Sequence, residues 1–159
     1  MIVKFFPKGR AGLDYVLGKG RKVDEREPLV LAGDPTKVNS LILGSDFVNP
    51  YTSAVLTYDQ EISEEEMRRD MASFDEIILP GMTPGVEYER VWVRHKEHPK
   101  DPVTKKPDPT KPMRTALHWI CANTELSTGK RLQPYFDRVD RPRVESWQEL
   151  TNLEHGYAS

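Results

Sequence analysis

The stretch YERVWVRH at residues 88–95 and the stretch RTALHWICA at residues 114–122 decide the fold. Each is typical of a β-strand, because its side chains alternate between two faces in an apolar pattern of period two. The residues between them, 98–112, hold five prolines among lysines and aspartates, a composition that excludes a paired strand or a helix. Two strands joined by a loop without a crossover helix are expected to pair antiparallel.

Helix and strand patterns alternate along the rest of the chain. Asp34 followed by Pro35 is typical of a helix start, with the aspartate as N-cap, and predicts a helix to about Leu43. Ser63 and Glu66 form a capping-box pattern, which predicts a helix that ends near Pro80. The remaining expected elements are a strand at 2–6, a helix of one or two turns at 13–17, strands at 29–31 and 52–58, and a helix from about Pro142 to His155 that Asp140 caps and Gly156 ends.

This order of elements predicts the fold class. A chain of 159 residues favours one domain, residues 1–159. We expect an α+β fold in which an antiparallel central sheet of about five strands carries helices packed on it. The proline- and lysine-rich loop at 97–113 is expected to lie exposed outside the sheet.

The composition limits the class of protein. The single cysteine, Cys121, excludes an internal disulfide and a multi-cysteine zinc site, and favours a reducing compartment. No apolar run approaches the ~20 residues of a membrane span, and MIVKFFPKGR at the start lacks a signal-peptide core. We therefore expect a cytoplasmic protein.

The net charge of −2 conceals an uneven distribution of charged residues. Six basic residues lie between Lys4 and Lys22 and five between Lys130 and Arg143. Acidic residues concentrate instead between positions 59 and 76. Basic stretches of this kind can bind phosphate groups while an acidic face keeps the protein soluble. Scattered, solvated surface charge is the simpler interpretation and stays open at this point.

Two histidines have positions that suit a metal site. His95 ends the first central strand and His118 lies early in the second, so strand pairing would bring both rings to one face. Imidazole binds Zn, Mn, Ni or Cu, and a neighbouring carboxylate shifts the preference toward Mg or Mn. Spacing alone favours an ordinary packed or surface pair of histidines. The candidate further ligands are Glu97, His98 and Glu125.

Tyr15 lies one position from the apolar side of its short helix, between two basic, glycine-rich stretches. A tyrosine hydroxyl is a weak nucleophile at neutral pH because its unperturbed pKa is about 10. A metal-polarised phosphate and a positive local field could make it competent. A core or rim tyrosine is the alternative interpretation. Composition does not distinguish this residue from the other tyrosines, which are Tyr51, Tyr58, Tyr88, Tyr135 and Tyr157.

Other common catalytic motifs do not occur in the sequence. The glycines at 9, 12, 18 and 20 match neither GxxxxGK[ST] nor GxGxxG, which argues against nucleotide binding. No GxSxG motif occurs. Cys121 lies within an apolar strand, where an inert core thiol is expected.

The segment NTELSTGKRLQPYFDRVDRPRVESWQELTN at 123–152 resembles the MobA-type plasmid-mobilisation relaxases, most closely their colicin-plasmid branch. In that branch a TGKRLQPYYDR…DRPR…W block follows the metal-binding strand. The segments MIVKF, LDYVLG, YTSAVLTY and MASFDEIILPG are similar to the same branch, in collinear order over nearly the whole chain.

The resemblance implies an HUH-type endonuclease that nicks single-stranded DNA at a plasmid transfer origin. The family's tyrosine falls at Tyr15, which is implied to attack the scissile phosphate, release a 3′-OH and remain attached to the 5′-phosphate. One divalent cation, Mg or Mn with Zn or Ni as alternatives, is implied to polarise the phosphate. Accessory mobilisation proteins are implied as partners. We expect no association with a membrane, and we expect a monomer.

The metal-binding residues that the resemblance implies depart from the family pattern. Most relaxases use three histidines, whereas the colicin-plasmid branch has one histidine and then Glu-x-Asn. His95 aligns with the first position and His118 with the last, but Ala116 at the middle position cannot ligate a metal. Glu97 is the preferred third ligand and His98 the second choice. A shell completed by water and substrate oxygens is the alternative.

Basic and aromatic residues suit contact with single-stranded DNA. For each arginine the alternative is a surface ion pair, and for each tryptophan a core position, which we favour for Trp119 and Trp147. The candidate stacking residues are Trp92, Trp119 and Tyr135. The candidate phosphate-binding residues are Lys8, Arg10, Lys19, Lys22, Arg114, Lys130, Arg131, Arg138, Arg141 and Arg143.

Two other functions compete with the nuclease. Ala116 could mark a DNA-binding module that recognises an origin hairpin without cutting it. A rolling-circle replication initiator would share the scaffold. Those proteins usually carry the tyrosine after the histidines, however, and Tyr15 precedes them.

Overall fold

Five strands form one sheet in the computed structural model, which describes residues 1–7, 12–19 and 26–158. They are β1 (Ile2–Phe5), β2 (Leu29–Ala32), β3 (Tyr51–Thr57), β4 (Arg90–Glu97) and β5 (Arg114–Ala122). Their spatial order is β1-β3-β5-β4-β2, and every neighbouring pair is antiparallel. The predicted α+β class and the antiparallel pairing of β4 with β5 are confirmed.

Four helices pack on this sheet in the described part of the chain, namely α1 (Leu13–Leu17), α2 (Pro35–Leu43), α3 (Glu64–Ile78) and α4 (Asp137–His155). The predicted start of α2 is confirmed, because Asp34 accepts hydrogen bonds from two backbone amides of its first turn. Both halves of the predicted capping box of α3, Ser63 and Glu66, are also formed. No helix within the described ranges combines the length and apolar composition that a membrane span requires.

The start of α4 differs from the prediction. The helix begins at Asp137 with Phe136 as N-cap, so the expected start at Pro142 with Asp140 as cap is wrong. The Asp140 carboxylate lies inside the helix and accepts a hydrogen bond from the Phe136 amide at 2.7 Å. Pro142 lies inside the helix; its fixed φ is compatible with helical backbone, but its missing N–H costs one backbone hydrogen bond, that to the carbonyl of Arg138. Gly156 ends the helix in the left-handed conformation, as predicted.

The helices cover the two faces of the sheet. α3 and α4 bury one face in a large core that includes Phe74, Trp92, Trp119 and Trp147. α1 and α2 cover part of the other face in a smaller core, whose buried members are Leu13, Val16, Val38, Val91, Val93, Ile120 and Ala122. Two aligned rows of side chains occur on each strand because alternate residues point to opposite faces.

A buried carboxylate joins α3 to the two central strands. Asp75 accepts hydrogen bonds from the indole nitrogens of Trp92 and Trp119, at 3.2 and 3.1 Å. Arg90 binds the same carboxylate through Nε at 3.0 Å and Nη2 at 2.8 Å. Burial raises the pKa of Asp75, while the contact with Arg90 opposes that rise. The network satisfies both indole N–H groups inside the core.

The strand register sets which residues lie beyond the smaller core on the same face. Val55 of β3 pairs with His118 of β5, and in the next row Ala116 of β5 pairs with His95 of β4. His118 therefore lies at the centre of its strand. Lys4 of β1 pairs with Val55 and extends the first row to the edge of the sheet. This part of the face borders an open cleft.

Candidate functional site

Two histidines and one carboxylate meet on β4 and β5. The rings of His95 and His118 have centroids 4.3 Å apart. Glu97 follows His95 by two residues, on the same face of the strand, and its Oε1 lies 3.5 Å from His95 Nδ1. One possible ligand atom from each of the three residues lies within 4.8 Å of the others. The structure therefore brings together the three residues that the sequence predicted as metal ligands.

The hydrogen bonds of the two rings leave lone pairs that suit a cation. His95 Nε2 lies 2.7 Å from the carbonyl oxygen of Val16; since a carbonyl only accepts, Nε2 carries the hydrogen and Nδ1 carries a lone pair. His95 Nδ1 and both ring nitrogens of His118 are buried without a hydrogen-bond partner among the described residues. Unpaired buried nitrogens are costly, and a metal ion bound by them would remove that cost. A backbone acceptor behind a ligating histidine is the usual arrangement at metal sites.

The protonation states also suit a metal. Burial, followed by the nearby His95, lowers the pKa of His118 to about 3, so this imidazole is neutral at physiological pH. The interaction with the His95 ring lowers the pKa of the Glu97 carboxyl, and burial of the carboxyl opposes this shift. Two imidazoles and one carboxylate form a donor set that fits Mn²⁺, Zn²⁺ or Ni²⁺, and the carboxylate also suits Mg²⁺.

The other candidate ligands lie elsewhere. His98 Nδ1 is 2.8 Å from the carbonyl of Lys111 within the proline-rich loop. Glu125 accepts a hydrogen bond from Ser127 in a turn after β5. Neither belongs to the cluster of possible ligands. Ala116 faces the same cleft as His118, and its methyl group leaves space where a longer side chain could reach the cation site.

A cleft of about 470 Å³ opens beside the histidines. Tyr15, carried by α1, borders this cleft and 54% of its surface is exposed. Arg26 lies over the Tyr15 ring, with its guanidinium carbon 4.6 Å from the ring centroid. Its Nη2 also donates to the Tyr15 carbonyl at 2.7 Å. The cleft-lining residues are Lys4, Phe6, Pro7, Tyr15, Val55, Thr57, Glu97, Ala116 and His118.

The surroundings of Tyr15 distinguish it from the other five tyrosines, all of which lie in the described part of the chain. Tyr58, Tyr88 and Tyr157 are buried, and burial raises the pKa of each phenol. Burial, followed by Asp137, raises the pKa of Tyr135 to about 12. Tyr51 is half-buried. Tyr15 alone among the six combines wide exposure with a position beside the histidines.

Two residues of the cleft, Lys4 and Phe6, and one neighbour of Tyr15, Arg26, were not predicted from the sequence. Lys4 alternates with apolar residues in β1 and faces the cleft, a position that the strand pattern could have indicated. Phe6 stacks near His118, with planes 10° apart and centroids 6.2 Å apart. Arg26 reaches Tyr15 from a segment without a recognisable pattern, so no sequence signal would have identified it.

The candidate DNA-binding residues have different surroundings. Lys8, Arg10 and Lys22 lie outside the described residues. Arg141 and Arg143 pair with Asp137 and Asp140 of their own helix, and Arg143 also donates to the Ile77 carbonyl. Arg114 lies opposite Glu97 in the register of β4 and β5. The Lys19 ammonium lies 3.7 Å from the Asp14 carboxylate. The candidates exposed on the surface after β5 are Lys130, Arg131 and Arg138.

The aromatic residues proposed to stack on DNA bases differ in their burial. Trp92 and Trp119 have no exposed surface and lie in the large core, so the prediction that Trp92 stacks on DNA bases is wrong. The core positions favoured for Trp119 and Trp147 are confirmed. Trp92 alternates with residues of the smaller core, and its face of β4 is covered by α3. Tyr135 is half-buried and borders a cleft near β1.

Two curated proteins are similar to the chain over nearly its whole length. DNA relaxase MbeA of Escherichia coli is 37% identical over 161 residues, which cover 98% of the chain and 28% of that protein. Cryptic plasmid protein C of Neisseria gonorrhoeae is 37% identical over 163 residues, which cover 99% of the chain and 71% of that protein. No family model and no solved structure matches the chain.

The chain thus spans less than a third of the relaxase and more than two-thirds of the cryptic plasmid protein. Both alignments run through the strands that carry the histidines and the helix that carries Tyr15, since they include almost every residue. By this similarity the chain belongs to the MobA-type plasmid-mobilisation relaxases.

Proposed function

We propose that the chain is the nicking domain of a relaxase, which cuts one strand of DNA at a plasmid transfer origin. The observation that carries this proposal is that Tyr15, the exposed tyrosine, borders the same cleft as Glu97 and His118. A nucleophile that shares a cleft with an imidazole and a carboxylate of a possible metal site suits attack on a phosphodiester.

The proposed step exchanges one ester for another. The Tyr15 hydroxyl oxygen bonds to the scissile phosphorus while the bond from phosphorus to the 3′ oxygen breaks. The phenolic proton is lost, and the leaving oxygen takes up a proton to become a 3′-OH. The 5′-phosphate stays on Tyr15, which conserves the ester and allows the strand to be rejoined by the reverse reaction.

The residues around the tyrosine have distinct proposed roles. His95, His118 and Glu97 would hold one divalent cation, which supplies polarisation of the phosphate when bound. Arg26 would position the tyrosine, because its guanidinium lies over the Tyr15 ring and donates to the Tyr15 carbonyl. Lys4 in the cleft wall adds positive charge where the phosphate backbone would lie.

Covalent trapping tests the proposal. The protein is incubated with Mn²⁺ and single-stranded oligonucleotides that tile the DNA flanking its gene, and adducts are separated on denaturing gels and located by peptide mass spectrometry. We expect one DNA-linked peptide that contains Tyr15. The Tyr15→Phe variant should give no adduct, whereas the control variant Tyr88→Phe, which removes a buried hydroxyl outside both clefts, should keep it. An adduct that persists in Tyr15→Phe contradicts the assignment.

A DNA-binding module without nuclease activity is the second candidate, and Ala116 is the observation that favours it. The alanine removes the middle of the family's three ligand positions, so that two family ligands remain and Glu97 is the only candidate third donor in the cluster of possible ligands among the described residues. Under this alternative the protein shifts the mobility of DNA in a native gel. It forms no covalent adduct with any tiled oligonucleotide at any Mn²⁺ concentration.

A further inference from the structure

A second cleft adjoins the proposed nuclease cleft and has no role in the steps above. It has a volume of about 200 Å³ and lies beside the end of β1 and the start of β3. Phe6 and Pro7 line both clefts, so a strand bound at Tyr15 can continue across this ridge into the second cleft. The stacking of Phe6 near His118 fixes the ridge relative to the proposed metal site.

Aromatic rings form part of the wall of the second cleft. Phe5 and Tyr135 stack with ring centroids 3.6 Å apart and planes 7° apart. The Tyr135 hydroxyl donates to Asp137 at 2.7 Å, which holds the ring in place. Tyr51 and Phe6 add two further rings. Aromatic walls of this kind stack on unpaired nucleobases in proteins that bind single-stranded DNA.

Asn123 forms the floor of the cleft, and its polar groups already have hydrogen-bond partners. Asn123 is 2% exposed. Its Oδ1 accepts a hydrogen bond from the Thr52 hydroxyl at 2.8 Å, and its Nδ2 donates to the Asn49 carbonyl at 3.0 Å. The floor therefore provides shape, and the hydrogen bonds that select a ligand must come from other residues of the cleft.

Two exposed side chains at the same cleft supply such hydrogen bonds. Arg131 Nη1 donates to Gln133 Oε1 at 3.3 Å. Because the amide oxygen of Gln133 already accepts from Arg131, the groups that this pair has left to offer are mainly N–H donors. An N–H-rich pair suits a base edge that carries two acceptors, and guanine presents O6 and N7 in that arrangement.

We propose that this cleft binds a guanine base of the DNA strand, with Arg131 and Gln133 donating to its O6 and N7 and the aromatic wall stacking on its ring. The inference rests on the proposed function, because it assumes a single strand that passes Tyr15. It gives Arg131 a role in selecting the sequence beside the nick, in addition to charge neutralisation of the backbone.

Fluorescence anisotropy with the Tyr15→Phe protein in EDTA tests this inference without cleavage or metal. The probes are labelled oligonucleotides of about eight nucleotides, in which thymine alternates with guanine, adenine or cytosine. We expect the guanine probe to bind about tenfold more tightly than the others. In the Tyr15→Phe background, a second substitution, Arg131→Ala or Gln133→Ala, should reduce this preference for guanine severalfold. Adding Lys130→Ala, which removes a neighbouring exposed charge, should weaken all three probes equally and leave the preference intact.

Two results would overturn the inference, namely equal binding of the three probes by the parent protein, or an effect of Arg131→Ala that is uniform across probes like that of Lys130→Ala. The assay requires neither the Tyr15 hydroxyl nor a cation. A guanine preference without covalent trapping therefore contradicts only the nuclease proposal, and covalent trapping without a preference contradicts only the base pocket.

Discussion

The Nε2 atom of His95 donates a hydrogen bond to the carbonyl of Val16, the residue that follows Tyr15 in α1. The helix that carries the proposed nucleophile is thereby attached directly to a proposed metal ligand. A cation on Nδ1 withdraws electron density from the ring and makes the Nε2–H group a stronger donor. Metal binding should therefore tighten the attachment of α1 to the sheet.

Hydrogen exchange should detect this attachment. Addition of Mn²⁺ should slow the exchange of the α1 amides that are hydrogen-bonded within the turn, such as those of Val16 and Gly18. The amides of α4 serve as the internal control, because that helix packs on the opposite face of the sheet. Equal protection of both helices, or none in α1, would show that the His95 ring does not transmit metal binding to Tyr15.

Titration calorimetry with Mn²⁺ should identify the ligands. We expect His118→Ala to weaken binding about 100-fold and Glu97→Gln about tenfold, because the first removes a neutral nitrogen donor and the second removes the negative charge. Glu125→Gln, a matched change of a carboxylate outside the cluster, should bind like the parent protein. A strong effect of Glu125→Gln together with a weak effect of Glu97→Gln would refute the assigned ligand set.

The metal-free protein should lose stability in acid through His118. Burial lowers the pKa of His118 to about 3 in the folded protein, from the 6.5 of an ordinary histidine, which the unfolded chain has. Unfolding between these pH values therefore takes up a proton. The free energy of unfolding should fall as the pH decreases from 6.5, with a slope that approaches ~1.4 kcal/mol per pH unit for this one group. Urea unfolding across this range measures the slope. His118→Asn should flatten it above pH 5, and an unchanged slope would show that another group is responsible.

A carboxylate at position 116 should strengthen the metal site. Ala116 pairs with His95 across the strands and borders the cleft, so Ala116→Glu would place an anionic oxygen donor within reach of the cluster. We expect roughly tenfold tighter Mg²⁺ or Mn²⁺ binding, which corresponds to about 1.4 kcal/mol. Ala116→Gln, of the same length without the charge, is the control. Equal affinities of the two variants would argue that the carboxylate does not reach the cation.

Asp75 should be essential for stability of the large core. Asp75→Ala leaves two buried indole N–H groups without an acceptor and the Arg90 guanidinium without its partner, which should cost about 3–5 kcal/mol. Thermal unfolding should show a melting temperature lower by roughly 10 °C. Asp75→Asn keeps an acceptor for the indoles and should lose less. A variant Asp75→Ala as stable as the parent would mean that the network contributes little.

The order and type of the helices and strands could be predicted because local patterns determined them. The N-cap side chains of α2 and α3 accept hydrogen bonds from backbone amides two or three residues further along the chain, and the alternation in β4 and β5 indicates which face is buried. The start of α4 could not be predicted in the same way, because Pro142 and Asp140 also form a common N-terminal pattern. At the actual start, the Asp140 carboxylate accepts a hydrogen bond from the amide of Phe136, four residues earlier, so the same aspartate serves a start one turn before the predicted one.

The site was predictable to a different extent. His95, Glu97 and His118 converge because the strand register is fixed by the hydrophobic faces, and the register follows from the pattern once the two strands are paired. The role of Asp75 as a buried acceptor depends on tryptophans far away in the chain, and its acidic neighbours in α3 are typical of a solvated surface. Arg26 reaches Tyr15 through tertiary packing alone, which no spacing records.

The loop between β4 and β5 makes contacts within itself just beyond the proposed metal ligands His95, Glu97 and His118. Glu97 and Arg114 form the last pair of the two strands. Past them the loop makes its own contacts, with a bridge between Lys100 and Pro107 and a backbone hydrogen bond from Asp101 to Lys106. Its tip is thus mechanically insulated from the ligands although it is adjacent to them in the chain. A lanthanide-binding tag or a circularly permuted fluorophore grafted at residues 102–105 should therefore leave cation binding at His95, Glu97 and His118 unchanged, which makes this tip a suitable place for an inert label.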